Sequence, residues 1–206
     1  MNDLKTLRRA PHGFTLVEII VILAVISILV AILTPTVLKY IDEARGDRAG
    51  ADVKNISAML NDLIKDTGQY PGSMTSSSFI CGPGSIATVG SSGWAANSAA
   101  CTSGTGNQTN SLANHLTVND PNENGTVNST SDYRTGGSTV KFRWKGPYIT
   151  NISEDPWGNA YEVNVSTLTA GSTSATWVIS AGPNGTLDTS TSASSLSSDD
   201  IGVRIK

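Results

Sequence analysis

The chain has 206 residues, enough for one globular domain of ordinary size or a smaller one with an appendage. Charged residues make up 15% of it, with 14 Lys+Arg against 17 Asp+Glu and a net charge of −3. That balance lacks the clustered positive charge that holds nucleic acid, so no nucleic-acid partner is expected. Two histidines and two cysteines are too few for a zinc cluster of the usual ligand count.

The chain opens with MNDLKTLRRAPHG, a short basic leader carrying Lys5, Arg8 and Arg9 against Asp3. Residues 14–33 follow as FTLVEIIVILAVISILVAIL, in which only Thr15, Glu18 and Ser27 are not apolar. As an α-helix this run rises roughly 30 Å, the thickness of a bilayer's hydrocarbon core. A basic leader before such a helix keeps its own end in the cytoplasm. A secretory signal or a plain anchor is the simple reading, but the run is long for a signal core and no small-x-small cleavage site follows it. Glu18 fits neither. A lone carboxylate near the start of a membrane helix costs on the order of 2–3 kcal/mol, and no partner for it is expected within the helix. A cut after Gly13 would give Phe14 a positive α-amine, on the same or a neighbouring chain, with which Glu18 could pair.

Pro35 stands just past the apolar run, where it removes one backbone hydrogen bond and tends to kink or loosen a helix. From Thr36 the pattern turns amphipathic. Val53, Ile56, Leu60, Leu63 and Ile64 recur at helical spacing with Met59 beside them, and Gly68 and Pro71 mark the stop. One helix over about 14–66 is expected, its two halves suited to different solvents.

In residues 72–140, 41 of 69 are Gly, Ser, Thr or Asn, and no charged residue occurs between 67 and 119. Such a composition is expected to bury little apolar surface. Cys81 and Cys101 flank it on the side that the topology places outside the cytoplasm. A disulfide is expected, worth very roughly 3 kcal/mol by loop closure; a pair of buried free thiols is the alternative. Strand-like runs follow at 141–144, 160–165, 175–180 and 202–205, with a hairpin connection between the second and third. A small antiparallel sheet on the helix is expected to supply the only substantial core, packed by Trp144, Tyr148, Trp157, Tyr161 and Trp177. His115, with no acid or nucleophile placed beside it, reads as a solvated loop residue, and no enzyme is expected. Seven N-x-S/T sequons follow from the Asn, Ser and Thr content, and no glycosylation is inferred.

GFTLVE at 13–18, after a basic leader and before an apolar helix, resembles the class III signal of type IV pilins and pseudopilins. The resemblance implies cleavage after Gly13 by a prepilin peptidase, N-methylation of Phe14, and Glu18 as the carboxylate that brings the next subunit into register. It also gives Pro35 a role, since that family has a proline there, where the helix can stretch inside a filament. GPYITNISEDPWGNAY at 146–161 is similar to the segment of type II secretion major pseudopilins that ends in a DPWG turn. SAGPNG at 180–185 and SDDIG at 198–202 resemble that family's C-terminal calcium loop. By that resemblance Asp199 and Asp200 are the acidic pair, and Asn184 stands where an aspartate is usual. Ala181 and Thr186 would offer carbonyls, Ser198 is a weaker candidate, and Asp188 could restore the missing carboxylate. A solvated loop without metal is the alternative.

The fold expected is α+β: a long N-terminal helix, transmembrane in its first half and amphipathic in its second, packed on a small antiparallel head. The divisions are a leader at 1–13, a membrane or filament-core helix at 14–35, an amphipathic half at 36–68, a polar insert at 69–140 and a β-sheet head at 141–206. The resemblance implies a structural subunit of a type II secretion pseudopilus that waits in the inner membrane, head in the periplasm. Its implied partners are further copies, the prepilin peptidase, minor pseudopilins and an inner-membrane platform, and its cofactor a structural calcium. A type IV pilin of a surface fibre and a membrane-anchored adhesin are the alternatives.

Overall fold

A computed structural model describes residues 13–74, 78–90, 93–94, 111–122, 125–136 and 141–205. Helix α1 spans Leu16–Thr67. Its end follows from Gly68, whose φ of +66° takes the left-handed cap and whose N–H donates to the Ile64 carbonyl at 2.8 Å. Pro71 then opens a single turn, α2, Pro71–Met74. Pro35 does not interrupt α1. The chain divides into two compact units, residues 1–43 and 44–206, so the boundary lies within the helix rather than at its end.

In the first unit the apolar residues face outward. Ile26, Leu29, Leu33 and Leu38 are all at least half exposed, and the helix is long and apolar enough to cross a membrane. In the second unit the same helix is half-buried. Ala49, Val53, Ile56, Leu60 and Leu63 line one stripe, with Met59 and Ile64 partly covered beside it. This is the 3–4 spacing of a helix with one buried face.

The head's main sheet is antiparallel, in the order β1 (Phe79–Cys81), β3 (Glu162–Asn164), β4 (Trp177–Ser180), β6 (Ile201–Arg204). A second, two-stranded parallel pair joins β2 (Thr88–Val89) to β5 (Thr186–Leu187). Strand alternation divides the apolar residues between two cores. Tyr161, Val163, Val165 and Val178 pack on the α1 stripe, whereas Ala160, Trp177, Ile179 and Ala181 pack with Phe79, Trp94 and Leu187.

Four expectations are corrected here. Residues 141–144 are not a strand: they open in a bend, the Arg143 N–H donating to the Asp66 carbonyl at 2.7 Å and the Trp144 N–H to the Arg134 carbonyl at 2.7 Å. The 69–140 segment is no separate polar insert, because it supplies β1 and β2 and the buried Phe79, Ile80, Trp94, Leu112, Leu116 and Tyr133. The helix-facing side of the sheet is therefore not the only substantial core. His115 is not solvated. It is fully buried in a π-helical turn, Asn114–Val118, with Nδ1 2.7 Å from the Tyr133 hydroxyl.

Burial holds the His115 imidazole down from its ordinary 6.5 to about 3. Between those values the unfolded chain binds a proton that the folded one refuses. Stability is therefore full above pH 6.5 and is lost as pH falls toward 3. Urea melts at pH 7 and pH 5 should show wild type losing about 1–2 kcal/mol more than His115→Gln over that interval. Equal losses in the two proteins would contradict the assignment.

Candidate functional site

Helix α1 begins at Leu16, so Thr15 is its N-cap and Glu18 its third residue, the T-x-x-E spacing of a capping box. The Glu18 N–H donates to Thr15 Oγ1 at 3.2 Å, and Glu18 Oε2 accepts the Thr15 N–H at 3.3 Å and its hydroxyl at 3.4 Å. The expectation that Glu18 has no partner within the helix is corrected by these bonds, and the spacing was there to be read. The carboxylate also sits where the helix dipole is positive. Gly13 and Phe14 precede the helix in non-helical conformation, and Phe14 is 78% exposed. Ser27 and Thr34 return their hydroxyls to the carbonyls four residues earlier, each at 2.7 Å, which hides polar atoms along the apolar run.

The DPWG turn is built on Asp155, 2% exposed. Its Oδ1 accepts the N–H groups of Trp157 at 2.9 Å and Asn159 at 2.8 Å, and its Oδ2 accepts the Ser180 hydroxyl at 2.6 Å. Gly158 supplies the φ of +88° that the turn requires. Ser180 in turn accepts the Gly182 N–H at 3.2 Å, so the turn is tied to the start of the C-terminal loop. At Gly182, φ is +65° and a Cβ would overlap the Asp199 carbonyl oxygen. The two segments that sequence likeness singled out are one hydrogen-bonded unit.

Within the loop, Asn184, Asp188 and Asp199 meet. Asn184 Nδ2 donates to Asp188 Oδ2 at 3.2 Å and to Asp199 Oδ1 at 2.5 Å, and the Asn184 N–H donates to Asp199 Oδ2 at 2.9 Å. Ser198 donates its hydroxyl to Asp199 at 3.0 Å. Asp200 turns the other way, accepting the N–H groups of Asp188 at 3.0 Å and Thr189 at 2.6 Å on Oδ2, while its Oδ1 is buried with no hydrogen-bond partner. Burial pushes the Asp200 carboxyl up against the pull of the Thr189 and Asp188 hydrogen bonds, and the Asp188 charge adds to the rise. Ala181 is buried just after β4, and Thr186 opens β5 against β2.

The expected donors are thus gathered but not arranged as one acidic pair. Among the described residues no three His, Cys, Asp or Glu side chains converge on a point. The set fits a hard cation in this respect: it offers oxygens from Asp188, Asp199 and Asn184, and the orphaned Asp200 oxygen calls for a positive neighbour. It fits only with the Asn184 carboxamide turned to present oxygen in place of nitrogen.

Cys81 is buried on β1 and is not a free thiol. Cys101 lies outside the described residues.

Residues 8–34 match the family described as the prokaryotic N-terminal methylation motif. Residues 115–199 match the family described as type II secretion system (T2SS), protein G, and so take in both His115 and the DPWG turn. The type II secretion system core protein G of Pseudomonas aeruginosa PAO1 is 39% identical over 64 residues, which are 31% of this chain and 45% of that one. The matched stretch therefore spans less than half the length of that relative. No solved structure matches the chain.

Replacing Asp155 by Ala leaves two N–H groups and a buried hydroxyl without their acceptor. The expected cost is about 3 kcal/mol or more in urea unfolding, with greater proteolysis of the 182–200 loop. An unchanged midpoint would contradict the role given to Asp155.

Proposed function

We propose that this chain is a type II secretion major pseudopilin, the structural subunit of a pseudopilus that polymerises through helix α1. The methylation-motif match, the protein G match and the Pseudomonas relative support that family, and none of them favours the surface-fibre pilin or the anchored adhesin. The observation that carries the function is physical. Along 16–41 the apolar side chains of α1 are exposed, and among the described residues none of that stretch is buried. A face of that size is stable in lipid or against copies of itself, and not in water.

In this reading a prepilin peptidase cuts after Gly13 and the new terminus at Phe14 is methylated. The subunit then waits as a single-pass protein of the inner membrane, its head in the periplasm. Glu18, capped by Thr15 while the subunit is alone, exchanges those weak bonds for the α-amine of a neighbour's Phe14. The charge pairing sets the axial register, and the apolar flanks supply the adhesion. Pro35 leaves one carbonyl of the helix unpaired, which lowers the cost of stretching there. Minor pseudopilins and an inner-membrane platform would start and drive the polymer, which helps move folded proteins across the outer membrane. No catalysis is assigned to the chain. A disulfide from Cys81 to Cys101 would tie β1 to the segment that follows it.

The C-terminal loop would hold a structural calcium through Asp188, Asp199 and the oxygen of Asn184, with Asp200 behind them. Calcium supplies there the positive charge that orders an irregular loop.

Two experiments test the proposal. Glu18→Ala should leave membrane insertion intact and abolish filaments, as read by shear fractionation of cells; normal filaments would contradict the assembly role. For the full chain in detergent, calcium but not magnesium should raise the melting temperature by several degrees, and Asp199→Ala/Asp200→Ala should remove the rise. A rise that survives in that double variant would contradict the loop assignment.

A further inference from the structure

Between the middle of helix α1 and the segment that leads into the DPWG turn lies a cleft of about 170 Å³. Its floor is apolar, formed by Ile56, Ile149 and Ile152, and its rim is polar, with Asp52, Asn151 and Ser153. A cleft of that volume holds one extended side chain. It is too small for a free small-molecule ligand, whose pockets run to about 300–1,000 Å³.

The rim is short of positive charge. Tyr161 donates its hydroxyl to Asp52 Oδ2 at 2.9 Å, and Arg48 Nε stands 3.7 Å from the same oxygen. Among the described residues Asp52 Oδ1 has no hydrogen bond or ion pair. Arg48 also reaches the Ser153 hydroxyl at 3.3 Å, but its side chain is 57% exposed, so it borders the cleft without filling it. Glu154, exposed beside Ser153, brings a second carboxylate to this edge. An apolar floor under an acidic rim suits a side chain with a methylene stem and a cationic head.

The chain gathers such side chains in one segment. Between Tyr133 and Ser153 stand Arg134, Lys141, Arg143 and Lys145, with no Asp or Glu among them. Lys145 is held by Asp66 at 2.5 Å, and Lys141 Nζ lies 5.4 Å from the Phe142 ring centroid. The Arg143 side chain is exposed and, among the described residues, has no ion pair or hydrogen bond. Its backbone is fixed to the end of α1 by the bond to the Asp66 carbonyl. Along α1, Asp66 lies about 21 Å beyond Asp52 at the rise of an α-helix. No side chain spans that length, so Arg143 does not fill the cleft of its own chain. Copies whose α1 helices run parallel with that offset bring the two together.

We propose that the cleft at Asp52 is a socket for Arg143 of a second copy. The contact joins two different patches, so it is heterologous and propagates along a filament. It rests on the polymerisation proposed above and adds to it a contact between heads. The Glu18–Phe14 pairing offsets copies by one helical turn, about 6 Å, so the socket takes a copy further along the filament.

The test uses the full chain in its native membrane. Asn55, on the cleft wall, and Phe142, 50% exposed beside Arg143, are replaced by cysteine, which leaves Asp52 and Arg143 in place. A short bismaleimide should link Asn55→Cys/Phe142→Cys into a ladder of multimers on a denaturing gel. Neither single variant should give a ladder, and Glu18→Ala should abolish it. Independently, Arg143→Glu, a surface change, should lower the yield of sheared filaments at least about tenfold, with Arg143→Lys close to wild type. Normal filaments without the ladder, or a wild-type yield from Arg143→Glu, would overturn the socket and leave the pseudopilin reading standing. Wild-type cells without filaments would overturn both.

Discussion

An apolar helix face left exposed among the described residues is the constraint on which the account of the molecule turns. From residue 16 to 41 helix α1 has the composition of a membrane span, and among the described residues it is exposed throughout. Its one carboxylate is accommodated by the cheapest local device, a capping box with Thr15. Those bonds are long and exposed, at 3.2–3.4 Å, so a better partner can replace them. In the proposed assembly, a self-capped acid suits a subunit that spends part of its life alone in lipid and part beside a neighbour's new terminus.

The second half of the helix works under the opposite condition. Its stripe from Ala49 to Leu63 is buried under the sheet, and the sheet's far face carries a second core that closes over Trp94 and Trp177. Both indoles also donate to loop carbonyls, Trp94 to Thr189 at 2.7 Å and Trp177 to Ala193 at 3.1 Å. Together with the Asp155–Ser180–Gly182 chain, they hold down a 188–200 segment that has little apolar surface of its own. The head is thus a set of irregular loops fixed by a few buried polar groups.

Much of this was legible in the sequence because it rests on periodicity. The helix, its stop at Gly68, strands β3, β4 and β6 and their hairpin all follow from 3.6- and 2-residue spacing with turn residues between. What was not legible depended on contacts made far along the chain. Residues 78–90 fell within the stretch read as a polar insert, yet Phe79–Cys81 is an edge strand because β3 offers it a register. His115 read as solvated because its partner, Tyr133, lies eighteen residues on and is polar only at its tip. The KFRW run has strand composition but meets the end of α1 instead of a strand edge. At the C-terminal loop the residues that the likeness singled out include three that do meet, Asn184, Asp188 and Asp199, but their orientation was not legible, since adjacent Asp199 and Asp200 face opposite ways.

The central claim is that the mature polypeptide starts at the helix that polymerises. Mass spectrometry of the N-terminal peptide of the protein taken from its native membrane tests it most directly. The account predicts a terminus at N-methylated Phe14, with the residues through Gly13 gone. A membrane-embedded chain that still carries its leader, or one cut beyond Glu18, would contradict it.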